Sequence, residues 1–255
     1  APLMQSWERE YKAGNLNEVQ SAFFKPRAAE ELYDIRKDPH QTVNLAGQAD
    51  LAGKFDELSS ALTGWQVGQR DAGLVPEAML SELDQQGFIR DYVGSEDCPV
   101  AEIIGLAQLA GERDVGNLDF FLAQLQSGHP VKSYWAATGL LLLGEGAQTA
   151  LPQIEEMLEQ VEPWTGIVLT ELLIGLERVD LATPYLGSAL DSDNLMVRLQ
   201  AMETIVETGL LDPSLKTAIA ALIPEDPGDR PSDGRLARYV MQLYTTVDPA
   251  RDSNE

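Results

Sequence analysis

Pro130-Val131-Lys132-Ser133-Tyr134-Trp135-Ala136-Ala137 carries apolar residues that return at a fixed interval between Cys98 and about Ile223. Ile103, Ala136, Val168 and Ala201 form one column, and Ile104, Ala137, Leu169 and Met202 lie beside it. Ala107, Leu140, Leu172 and Ile205 make a third. Further along each unit come Phe121, Ile154, Leu186 and Ile219, shadowed by Leu125, Leu158, Leu190 and Ile223. Every column advances by 33, 32 and 33 residues. A step shared by independent columns is the signature of a repeat array. Within one unit the apolar positions fall at i, i+1 and i+4 (Ile103, Ile104, Ala107), then four apart again (Phe121, Leu125), which is helical spacing. Each unit therefore reads as two helices, with a turn expected near Gly111, Gly144 and Gly209, where glycine can adopt the left-handed cap conformation.

Val197-Arg198 followed by Ala201 resembles the Val-Arg-x-x-Ala opening of HEAT-like repeats, as does the stretch from Pro130 to Ala137. The Trp, Leu-Gly, Tyr, Ala and Phe spacing of tetratricopeptide repeats is missing, and so is the ankyrin Thr-Pro-Leu-His. The resemblance implies a mainly α fold, a HEAT-like α-solenoid of about four helix pairs over residues 98–247. A single pair cannot bury its apolar face, so the pairs are expected to stack on one another. A helix from about Asp233 to Thr246, with Leu236, Val240 and Leu243 on one face and Arg235 and Arg238 near the other, is expected to cap the array. Residues 248–255 are expected to be a disordered tail.

The 255 residues carry a formal net charge of −23 and are 44% apolar, enough for a sizeable core in one or two domains. The longest apolar run, Gly139 to Gly144, is far shorter than the roughly 18 residues a membrane span needs. Ala1-Pro2-Leu3-Met4-Gln5 has neither the basic nor the apolar region of a signal peptide, and it reads as a cut inside a longer protein. Between Ser133 and Glu177 there are seven Glu and no Lys or Arg. Polyanions are held by Lys and Arg, so neither nucleic acid nor a sulfated glycan is an expected ligand of the repeats.

Residues 1 to 80 follow other rules. Trp7–Leu16 and Asn17–Phe24 read as short helices, and Lys25-Pro26 breaks the pattern. Glu31-Leu32-Tyr33-Asp34-Ile35 alternates like a half-buried strand over 31–36. Asp38-Pro39 is a turn, and Leu51, Phe55, Leu58 and Leu62 at i, i+4, i+7 and i+11 predict a helix over 50–67. Residues 81–97 are left as a connector.

The run from Glu31 to Ala46, with Glu-Leu-Tyr-Asp-Ile, Asp38-Pro39 and Asn44-Leu45, resembles the last-strand segment of the sulfatase family, and Trp65 matches the Trp near that family's final helix. Met4–Gly14 and Arg70–Glu77 are similar to one branch, the bacterial heparan N-sulfatase-like proteins. The resemblance covers about residues 4–80. It implies a small α+β remnant of a sulfatase C-terminal subdomain, and a parent enzyme that hydrolyses sulfate esters or sulfamates. It also implies Ca²⁺ in that parent's catalytic domain, a periplasmic or extracellular location, and contact between this chain and its own catalytic domain or a protein partner.

The family's formylglycine comes from Cys or Ser in a Cys/Ser-x-Pro-x-Arg motif, which this chain lacks. Cys98 is followed directly by Pro99. It is the single cysteine, so no intrachain disulfide forms. A packed or surface thiol is its expected role. Asp191-Ser192-Asp193-Asn194 lacks the Gly and distal Glu of an EF-hand loop and reads as a helix N-cap between repeats. His40 belongs to a turn, His129 to a cap region, and Glu155-Glu156 to a solvated face. No catalytic, cofactor or metal residue is assigned, and the chain alone is expected not to turn over sulfate esters. Two readings stay open: the C-terminal, non-catalytic part of a sulfatase carrying the repeats, or a free-standing scaffold with no enzymatic role.

Overall fold

Helices supply the regular structure in the computed structural model, which describes residues 2–210 and 212–222; no strand occurs among them. The chain divides into two compact units, Ala1–Trp65 and Gln66–Glu255, and the division falls upstream of the boundary at 80 that the sequence suggests.

The first unit holds α1 (Pro2–Lys12), α2 (Glu18–Ser21) and most of α3 (Ala52–Gln69). Asn17 starts α2 with a capping box, its side chain accepting from Gln20 N–H while Gln20 reaches back to the Asn17 N–H. Trp7 stacks on Phe23 at 5.0 Å, Tyr11 stacks on Phe24 at 4.6 Å, and the Trp7 indole donates to the Gln20 carbonyl at 3.1 Å.

The expected strand over 31–36 does not form. Instead the Asn44 side chain accepts from the N–H groups of Leu32 and Ala46, each at 3.0 Å, and the Leu45 N–H donates to the Leu32 carbonyl at 2.8 Å. Asp38 accepts from Thr42 and Val43 N–H at 2.7 and 2.8 Å. These are turn-building contacts. A strand needs neighbours to complete its ladder, and residues 31–34 find only this clasp. The small α+β remnant is therefore an all-helix-and-turn segment here.

The second unit contains α4 (Glu77–Gln86), α5 (Ile89–Val93), α6 (Val100–Glu112), α7 (Leu118–Leu125), α8 (Pro130–Leu143), α9 (Leu151–Met157), α10 (Pro163–Gly175), α11 (Val179–Leu190), α12 (Leu195–Thr208) and α13 (Pro213–Ala221). Neighbours pack in succession: α6 on α8, α8 on α10, α10 on α12, with α7 against α8, α11 against α10 and α12, and α13 against α11. The side chains between them come from the repeating columns. Ile103, Ala136, Ala201, Ile104, Ala137, Leu169, Met202, Leu140, Leu172, Ile205, Phe121, Ile154, Leu186 and Ile219 are all buried. Ala107 is half-buried, and Ile223 lies outside the described residues. Gly139 on α8 is required by this packing, since a Cβ there would stand 2.7 Å from the Phe121 ring of α7.

Helix ends follow local chemistry. Gly209 closes α12 in the left-handed cap conformation at φ +68°, whereas Gly144 closes α8 at φ +55° with ψ −123°, a different positive-φ conformation that glycine also adopts without a Cβ penalty. At α6 the turn differs from the expected Gly111: the helix continues and ends on Arg113, held left-handed at φ +56°. Pro130, Pro163 and Pro213 sit in first turns, where a missing N–H costs nothing.

Part of the expected connector at 81–97 is helical, the end of α4 and all of α5, and it packs together with the residues just ahead of it. Val75, Ala78, Met79, Val93 and Cys98 are buried in the same cluster as Ile103, Trp164, Val197 and Met202. The Trp135 indole of α8 donates to the Leu74 carbonyl at 2.8 Å, and the Asn194 amide donates to the Ala78 carbonyl and the Glu82 carboxylate, each at 3.0 Å. The segment is part of the helical core. The capping helix expected at 233–246 and the tail at 248–255 lie outside the described residues.

Candidate functional site

The residues able to do chemistry are spread over the chain, and several of them have structural partners. Cys98 is buried just ahead of α6. Burial pushes its thiol up, and this outweighs the opposing effect of the nearby Tyr92 hydroxyl. A helix start can lower a thiol pKa, but here desolvation of the thiolate dominates. The same burial, with the charges of Cys98 and Asp97 behind it, pushes the Tyr92 hydroxyl up to about 12.

His129 clasps two elements. Its Nδ1 accepts from the Lys132 N–H at 3.3 Å, capping α8, and its Nε2 lies 3.0 Å from the Asp97 carbonyl. An acceptor on one nitrogen and a donor on the other assign the neutral Nε2–H tautomer. His40 is exposed in the turn that Asp38 organises. The Asp38 carboxylate is held low first by the Val43 N–H and further by Thr42, which stabilise its charged form.

Asn194 caps α12 by accepting from the Met196 N–H at 2.9 Å. Its neighbours Asp191 and Asp193 are exposed. Glu155 and Glu156 part company: Glu155 pairs with Arg178, which also grips Asp180 through two 3.0 Å bonds, while Glu156 faces solvent. Among the described residues no three His, Cys, Asp or Glu side chains group as metal ligands would. None of the described helices is long and apolar enough to cross a membrane.

One concavity of about 360 Å³ opens where Pro76, Glu77 and Ala78 meet Tyr134 of α8 and Met196, Leu199, Gln200 and Glu203 of α12. Two of its lining residues, Glu77 and Glu203, are acidic. The Tyr134 hydroxyl is pushed up by burial first and then by Glu171 and Glu77, and Glu171 is itself pushed up by burial and by Glu207. No Ser, Thr, Cys, Lys or His lines it. Sequence reading missed this concavity because its walls come from segments about sixty residues apart, joined by the packing of residues 72–97 onto α8 and α12.

The chain is 35% identical over 80 residues to an ulvan-active sulfatase of Formosa agariphila. The match covers 31% of this chain and 13% of that sulfatase, so it supports a sulfatase-related region and no more. No protein-family model matches the chain. No solved structure matches it either.

Proposed function

We propose that this chain is a C-terminal, non-catalytic part of a sulfatase, with residues 1–80 belonging to the catalytic domain's terminal subdomain and residues 98–247 forming an appended HEAT-like repeat domain. The observation that carries this is the contrast between motif and core. The sulfatase-like residues Asp34, Asp38 and Asn44 build specific turns, yet among the described residues of the first unit no apolar one is buried. Ile35 is 65% exposed and Trp65 61%, and Leu58 and Leu62 are also exposed on one stripe of α3. A 65-residue segment with ordered turns and no core is what a piece of a larger domain looks like, because burial of apolar surface is what stabilises a domain on its own. The partial match to a sulfatase supports reading that larger domain as a sulfatase's.

On this reading the parent hydrolyses a sulfated glycan, using a formylglycine and a Ca²⁺ site outside residues 1–255. The repeats bind their own catalytic domain or another protein, since a net charge of −23 opposes contact with the polyanionic substrate. The succession of helix contacts and the buried columns support the HEAT-like stacking.

The reading frame upstream of Ala1 tests the proposal. A Cys/Ser-x-Pro-x-Arg codon run a few hundred residues earlier is expected. A stop codon followed directly by an initiator for this chain would overturn the proposal and leave the free-standing scaffold. Purified chain is expected to show no turnover of aryl sulfates or sulfamates with added Ca²⁺, and hydrolysis above a heat-killed control would refute its non-catalytic role.

A further inference from the structure

We draw no further inference here: the strongest candidate, the concavity between residues 76–78, Tyr134 and α12, has carboxylates among its apolar walls in a chain that is acidic throughout, and nothing in the structure shows what covers it.

Discussion

Ala1–Trp65 and the helices that follow spend their apolar residues in opposite ways. The first unit exposes Leu3, Val19, Phe23, Ile35, Val43, Leu58, Leu62 and Trp65, and is ordered by side-chain oxygens that gather backbone N–H groups. The second unit buries Phe121, Leu140, Ile154, Leu169, Leu172 and Leu186 almost completely and uses polar groups mainly at helix ends. Hydrogen bonds on turns specify a conformation but add only about 0.5–1.5 kcal/mol each. A buried large aliphatic side chain contributes about 1.5–3 kcal/mol. Local order and stability are thus separate properties, and this chain has one region of each kind.

Truncation should separate the two regions most sharply. Leu140→Ala and Leu172→Ala each remove a side chain that is at most 1% exposed, and each is expected to cost about 2–5 kcal/mol in chemical denaturation. Leu58→Ala and Leu62→Ala, on the exposed stripe of α3, should stay within about 0.5 kcal/mol. Equal losses at all four positions would erase the contrast. The same difference should appear in hydrogen exchange, with strong protection across α8 and α10 and weak protection across α1 and residues 31–46.

Caps come next. Asn194→Ala removes the Met196 acceptor and two contacts to α4, and a loss of about 1–2 kcal/mol is expected. His129→Ala should cost about 0.5–2 kcal/mol by freeing the Lys132 N–H and the Asp97 carbonyl. Local loss of exchange protection at the start of α12 or α8 would locate each effect. Unchanged melting in both variants would mean that packing alone sets these helix starts.

The two regions should also respond to pH with opposite signs. Burial and Glu207 raise the Glu171 pKa in the folded chain, so folding holds that proton more tightly than the unfolded state does. Its contribution is favourable below the ordinary Glu range and is lost as pH rises through the raised value. Glu171→Gln should therefore stabilise the chain at neutral pH and converge with the parent in acid. Asp38 is shifted downward by the Val43 and Thr42 N–H groups, so its contribution is present above the ordinary Asp range and fades as pH falls. Denaturation curves for Glu171→Gln and Asp38→Asn between acid and neutral pH would check both signs. A Glu171→Gln variant less stable than the parent at neutral pH would contradict the buried-carboxylate reading.

A small effect of opposite sign is expected at Arg113. A side chain at φ +56° pays a steric penalty that glycine avoids, so Arg113→Gly should raise stability by a few tenths to about 1 kcal/mol. A decrease would show that Arg113 makes a contact worth more than its strain.

Periodicity alone carried the helical character of residues 98–222, down to the buried columns, because a helix pair must hide the same face at every step of about 33 residues. Local chemistry announced Gly144, Gly209 and the Asn194 cap. The turn at Asp38 and the helix near 50–67 were legible for the same reason, since each depends on residues close in sequence. What lay beyond the sequence depended on distant partners. Glu31 to Ile35 alternates like a strand, but a ladder needs a neighbour, and in the described residues Asn44 answers instead. Residues 81–97 read as a connector; only the approach of Asn194 to Ala78 and Glu82, and of Trp135 to the Leu74 carbonyl just upstream, shows helices there packed into the core. The thiol of Cys98 could have been lowered by a helix start or raised by burial, and tertiary packing decided for burial. Local rules propagate along the chain, whereas desolvation and pairing are set by whatever the rest of the fold brings alongside.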